Sequence, residues 1–201
     1  MSAPTKTQGI AVLAHQAVVQ PASAYGSAQD VSTKIAATII CFHAPIEAVA
    51  NTVPGIWQIQ GSGSSTGNED WADIYTFSAD SGTPGTEALT ATEALGETVL
   101  AVASTTLFAA NDVVYIKDTT TLADSEWGQI QEIATDASIT LVDGLTTGKD
   151  SADFIWGNAE RTVVQLDVMA LGRVRVIFTH EGASGADVHV KALMITADTI
   201  G

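Results

Sequence analysis

The sequence predicts an all-β protein, an antiparallel β-sandwich of jelly-roll-like type carrying an inserted small β-meander or barrel module. Three observations predict it. Apolar residues recur with a period of two, Thr, Val and Ile dominate those runs, and clusters of Gly, Asp and Ser punctuate them. The chain has 201 residues, of which 46% are hydrophobic and only 15% charged, enough apolar content for a real core.

The elements follow in order. "GIAVLAHQAVV" reads as a strand or a short helix, because a short apolar run does not arbitrate by period alone. It admits either an extended arm reaching a neighbouring subunit or a packed edge strand. "DVSTKIAATIICF" places Val31, Thr33, Ile35, Ala37, Ile39 and Cys41 on one face. "GIWQIQ" sets Trp57 and Ile59 against Gln58 and Gln60, and "DWADIYTF" brings Trp71, Tyr75 and Phe77 to one side. Near the C-terminus "RTVVQLDVMAL", "GRVRVIFTHEG" and "DVHVKALMITAD" are three successive strands. In the second, Val174, Val176 and Phe178 oppose Arg173, Arg175 and Thr179; in the third, Val188, Val190, Ala192 and Met194 oppose His189 and Lys191. The short turn-rich link between these two predicts an antiparallel hairpin.

The middle has a different texture. "SADSGTPGTEA" and "TTGKDSADF" bracket four short, evenly spaced strands: "ETVLAVA", "NDVVYIKD", "WGQIQEIA" and "SITLVDGL". "TEALTATEAL" admits a short helical turn, against which its threonines weigh. Residues 84–153 are therefore expected to be an inserted small β domain. Residues 1–83 and 154–201 are expected to form the outer sandwich with its N-terminal arm. At the insertion point "DWADIYTF" and "DFIWGNAE" are expected to pair.

Charge narrows the partners. Eight Lys and Arg stand against 23 Asp and Glu, a formal net charge of −15. Direct nucleic-acid binding needs clustered cations to displace counterions, and anionic membrane surfaces need the same, so neither is expected. No apolar stretch approaches the roughly 20 residues of a bilayer span. The segment "MSAPTKTQGI" lacks the apolar core of a signal peptide, which predicts synthesis in a reducing cytoplasm. Cys41, the only cysteine, excludes an internal disulfide and reads as a small buried hydrophobe.

The motifs with chemical potential are few. "GSGSSTG" (residues 61–67) follows a strand, as phosphate-binding loops do, but Gly61, Gly63 and Gly67 are spaced one residue too wide at the end. Glu69 and Asp70 follow at once and would repel phosphate, the next segment is a strand, and no Walker lysine is present. The loop reads as a flexible connection between antiparallel strands. His15, His43, His180 and His189 have no metal-binding spacing. "GNEDWAD" and "DTTTLADSE" offer oxygen ligands but fit no EF-hand, so a bound calcium stays open while Asp and Asn serve turns. Ser64 lies in no nucleophile elbow, and no carboxylate pair stands out for glycoside hydrolysis. Trp57, Trp71, Trp127 and Trp156 read as core or junction packing rather than a sugar platform, although a carbohydrate-binding module is the alternative they leave open. No catalytic, cofactor-binding or metal-ligating residue is assigned, no cofactor is expected, and the chain is expected not to be an enzyme.

The middle segment resembles a small β module that recurs in tailed-bacteriophage virion proteins. Its pattern runs "ST-x-F-x-x-x-D", then "G-x-I-x-E-I", then "ITL-x-x-GL-T". The matching positions are Ser104, Thr105, Phe108 and Asp112, then Gly128, Ile130, Glu132 and Ile133, then Ile139, Thr140, Leu141, Gly144 and Leu145. The match covers about a quarter of the chain. "RVRVIFTHEGASGADVHVKALMI" is also similar to the paired last strands of virion β-sandwiches. The resemblance implies a virion structural protein made in the host cytoplasm and assembled symmetrically. Within that class it implies a capsid decoration or cement protein, with a tail, neck or fibre-base component as the alternative. Its partners would be the major capsid protein or another virion protein, and copies of itself in a homo-oligomer, a trimer being one form.

Overall fold

Strands form where the period-two runs lie. The computed structural model describes residues 9–19, 22–46, 55–67, 70–79, 85–180 and 187–198. They make β1 (Ile10–Val18), β2 (Ala22–Tyr25), β3 (Gln29–Asp30), β4 (Lys34–Pro45), β5 (Gly55–Ser62), β6 (Ala72–Ala79) and β7 (Thr86–Ala88). Then come β8 (Val99–Ala101), β9 (Val113–Lys117), β10 (Glu126–Ala134), β11 (Ser138–Leu141), β12 (Phe154–Asp167), β13 (Arg173–His180) and β14 (Val188–Asp198). Among the described residues helix is limited to one 3-10 turn, Leu122–Asp124. The helical turn admitted for "TEALTATEAL" is instead β7 and two isolated bridges, Leu89 to Val102 and Glu93 to Lys149. The chain divides into two compact units: Met1–His43, Val53–Asp80 and Arg161–Gly201 form one, Ala44–Thr52 and Ser81–Glu160 the other.

The first unit is an antiparallel β-sandwich. One sheet runs β1-β14-β4-β12 and the other β2-β13-β5-β6, with β3 also on β13. Inward residues alternate with outward ones along each strand, and the inward sets meet. Ile39 and Cys41 of β4, Val190 and Met194 of β14, Ile59 and Trp57 of β5, and Val174, Val176 and Phe178 of β13 share one buried cluster. Removing each large side chain from water stabilises the fold by about 1.5–3 kcal/mol. The N-terminal run is therefore an edge strand, β1 on β14; the residues before Gly9 lie outside the described ones.

Three expectations are corrected here. β13 and β14 are not a hairpin, because β13 pairs β2, β3 and β5 while β14 lies in the other sheet beside β1 and β4. Period two tells which face is buried; in a sandwich, strands of both sheets bury one. β6 pairs β5 and not β12, whose partners at the proposed insertion point are β7 and β9. Strand β4 begins at Lys34, so Val31 is buried from the turn before it.

The second unit holds β9, β10 and β11 as a meander with β8 on β11, and the first half of β12 beside β9 and β7. Leu100, Val114, Ile116, Ile130, Ile139, Leu141 and Ile155 are fully buried at its centre. The positions of the virion-module pattern do scaffold work. Phe108, Ile130, Ile139, Leu141 and Leu145 are core. Asp112 accepts the Ala109 amide at 2.7 Å. Thr105 Oγ1 accepts the Asp136 amide at 3.1 Å, pinning a turn residue held at φ +49°. Gly144 admits no side chain, since a Cβ there would lie 2.5 Å from the Gly96 carbonyl oxygen.

The same unit buries an ion pair. The Lys149 ammonium donates to Glu126 Oε1 at 2.9 Å, to the Asp124 carbonyl at 2.8 Å, and to Thr147. Burial alone would raise the Glu126 carboxyl, yet hydrogen bonds from Lys149 and Thr146 outweigh it and hold it below its ordinary value. Glu126→Gln should therefore cost about 2 kcal/mol, the worth of a charge-assisted bond whose cation stays buried. Urea unfolding followed by tryptophan emission measures this. A midpoint equal to wild type would mean that Lys149 is satisfied by the carbonyls alone.

Candidate interaction surfaces

The glycine loop is built as a turn. Ser62 Oγ accepts the Ser64 amide at 3.2 Å, and Ser64 Oγ accepts the Thr66 amide at 3.2 Å. Gly172 donates to the Ser62 carbonyl at 2.8 Å and packs so closely that a Cβ would lie 2.6 Å from Ser64 carbon. Arg173 adds a bond from Nε to the Ser64 carbonyl at 3.0 Å and another to the Gly67 carbonyl. The loop leads from β5 towards its antiparallel neighbour β6. Its residues 61–67 are tied to the start of β13, where the sequence suggested a loose link.

The histidines are brought together in the interior. His15 and His189 approach at 3.2 Å between ring nitrogens. His43 is completely buried against Phe178, ring centres 5.5 Å apart, with His180 close enough to repel its charge. Burial first, then His180, lowers His43 from 6.5 to about 3. Burial and Lys191 lower His15 to about 4. Nothing in the spacing announced these pairs, because each joins strands distant in the chain. His189, placed on the polar face by alternation, is buried. Among the described residues no three His, Cys, Asp or Glu converge as a metal site would require. Burial pushes the Cys41 thiol up to about 12, leaving it a packing residue.

The tryptophans do not converge. Trp57 is in the sandwich core against Phe77 and Phe178. Trp127 and Trp156 belong to a cluster of the second unit, where Trp127 packs tilted against Tyr115, ring centres 4.7 Å apart. Trp71 was expected on one side with Tyr75 and Phe77. It lies instead on the outward face, over Arg173 and Arg175. A bulge in the β5–β6 pairing, between Ile59 and Gln60, shifts the alternation between Asp73 and Tyr75.

The outward face of the β13-β5-β6 sheet is thus a polar network around one indole. The Arg173 and Arg175 guanidinium carbons lie 5.0 and 4.3 Å from the Trp71 ring centre. Arg175 Nε donates to Gln60 Oε1 at 2.8 Å, and Gln60 Nε2 donates to Asp73 Oδ1 at 2.8 Å. Gln58 holds the other Asp73 oxygen at 3.2 Å. The opposite outer face differs: Ala36 and Thr38 of β4 with Ile195 and Ala197 of β14 line a shallow apolar groove, and Val163 of β12 is 53% exposed.

No helix among the described residues is long and apolar enough to cross a membrane. No protein-family model matches the chain, and no curated protein matches it. Among solved structures it is similar to the SPBc2 prophage-derived protein YomS, at 12% identity over 97% of this chain and 96% of that one, TM-score 0.30. It is also similar to VP17, a capsid protein of bacteriophage P23-77, at 10% identity over 98% and 100%, TM-score 0.21. A structure of infectious bursal disease virus, Gx strain, matches at 8% identity over 98% of this chain and 41% of that chain, TM-score 0.26. Likeness at this level assigns neither a family nor a function.

Proposed function

We propose that this chain is a non-enzymatic structural protein of a tailed-phage virion, acting as a capsid decoration or cement protein that stabilises the shell through protein–protein contacts. The observation that carries the reading is the module pattern at positions 104–145, whose residues serve as core, turn and close-approach positions of a β scaffold. The groups with chemical potential support it from another side. The histidines, Lys149, Glu126 and Cys41 are absorbed into packing and pairing rather than converging on a cleft. In this reading residues 84–153 are an insertion within a sandwich formed by 1–83 and 154–201. The partner is the major capsid protein or another virion protein, and the chain's destination is the virion.

Counting this chain against the major shell protein in purified particles, by quantitative mass spectrometry, tests the reading. Copies in the hundreds are expected. About a dozen would move the chain to the neck or tail, and absence from the particle would overturn the virion assignment. Mixing with empty shells should also raise the unfolding temperature, since a partner that binds only the folded state stabilises it.

A further inference from the structure

We infer that β6 is a docking edge for a second copy of this chain, the two β6 strands pairing antiparallel about a two-fold axis at Thr76. The inference concerns the free chain in solution and stands apart from its proposed place in a virion.

β6 ends the order β2-β13-β5-β6. One side of it bonds to β5, and among the described residues the other side meets no backbone partner. In an antiparallel strand every second residue turns its N–H and C=O away from a given neighbour, so a row of donors and acceptors is left for a further strand. The other strands that end the two sheet orders are blunted. β2 has four residues and β8 three, and the register of β1 breaks twice. β6 has eight residues. Its one break lies at its start, between Asp73 and Tyr75, and from Tyr75 to Ala79 it runs unbroken along β5.

The sequence of β6, "ADIYTFSA", suits pairing. It holds neither Lys nor Pro, the residues that most often guard an edge, and Ile, Tyr, Thr and Phe are strand formers. Its single charge, Asp73, is held by Gln58 and Gln60. Ile74 and Tyr75 are exposed, and Phe77 is half-buried at the margin of the sandwich core.

Register selects the occupant. Residues opposite one another in an antiparallel ladder share a face, and Tyr75 and Phe77 lie on the face of Ile59 and Trp57. With the axis at Thr76, Tyr75 stands across from the partner's Phe77, and Phe77 across from the partner's Tyr75. Aromatic cross-strand pairs are favourable, and these two continue a ring series already present, Trp57–Phe77–Tyr75. Thr76 meets its own copy on the outward face, where the two hydroxyls pair. Asp73 stands across from the partner's Ala79, so the two carboxylates stay about 20 Å apart along the ladder. A parallel neighbour would set them side by side. The two-fold pair uses the same edge twice, so association stops at the dimer.

The test is sedimentation velocity of the full chain across a hundredfold concentration range. The wild type should form a dimer. Thr76→Lys and Thr76→Glu each place like charges face to face on the axis and should weaken dimerisation at least tenfold. Thr76 is exposed, so both should keep the thermal unfolding profile of the dilute wild type. Mixed in equal amounts, the two variants should restore the dimer. Thr76→Cys should oxidise to a disulfide-linked dimer, because residues facing across the axis lie about 5 Å apart, within disulfide reach, while Cys41 is buried. Thr38→Lys, on the outer face of the other sheet, should dimerise as the wild type does. A wild-type chain that stays monomeric throughout excludes the second copy and overturns the inference. So does a dimer unchanged in Thr76→Lys, or a mixture of the Lys and Glu variants that stays monomeric.

Discussion

Val176→Asp should abolish folding. Val176 is fully buried at the centre of β13, opposite Ile59 of β5 and inside the cluster that joins both sheets of the sandwich. A carboxylate there has no cation to meet, since the only cationic neighbour on the strand, Arg175, points to the other face. Burying an unpaired charge costs several kcal/mol even after relaxation. The lost valine packing adds about 1–2 kcal/mol. Against a typical domain stability of about 5–15 kcal/mol the sum leaves little or nothing. The expected product is insoluble, or soluble without a cooperative thermal transition. Arg175→Gln, one residue away but facing out, should fold within about 1 kcal/mol of wild type. A Val176→Asp chain with normal unfolding would mean that this strand is turned the other way.

That contrast shows what was legible in the sequence. The facing of β13 and β14 could be read because the alternating apolar positions Val174, Val176 and Phe178, and Val188, Val190, Ala192 and Met194, are all buried, while the burial of Ile177 and His189 on the other side could not be read from alternation. The all-β sandwich followed from the same pattern. Pairing could not be read. A strand's alternation is the same whether its neighbour is the next strand in sequence or one across the sandwich, which is why β13 and β14 suggested a hairpin they do not form. Trp71 was misplaced by one bulge residue, an insertion that alternation cannot detect. The arginine–indole face was hidden for the same reason. It depends on Trp71 lying outward and on the loop at 61–67 being tied to Arg173. The histidines were visible only as scattered residues, and their meaning depends on strand order.

Those histidines carry the second large effect, a loss of stability in mild acid. His43 titrates near 6.5 when the chain is unfolded and near 3 when folded, because burial and then His180 disfavour its cation. Between those values the unfolded state binds a proton that the native state does not. Unfolding free energy therefore rises with pH across this window. The stabilisation is fully present above about pH 7 and is lost as pH falls below 6.5, at about 1.4 kcal/mol per pH unit for one such group. His15, lowered to about 4 but only half-buried, adds to the same direction with a slope reduced by solvent. The carboxylates act later. Glu126 and Asp118 are held below their ordinary values, so their contribution is lost only as pH falls through the carboxylate range. Urea midpoints should accordingly be level from pH 8 to 7, fall from 6.5 to 4.5, and fall again below 4. His43→Phe, which keeps a ring against Phe178 and removes the proton site, should flatten the first descent by about one proton. A midpoint constant from pH 7 to 4.5, or an unchanged slope in His43→Phe, would show that His43 meets water in the folded protein and that the end of β4 opens without unfolding the sandwich.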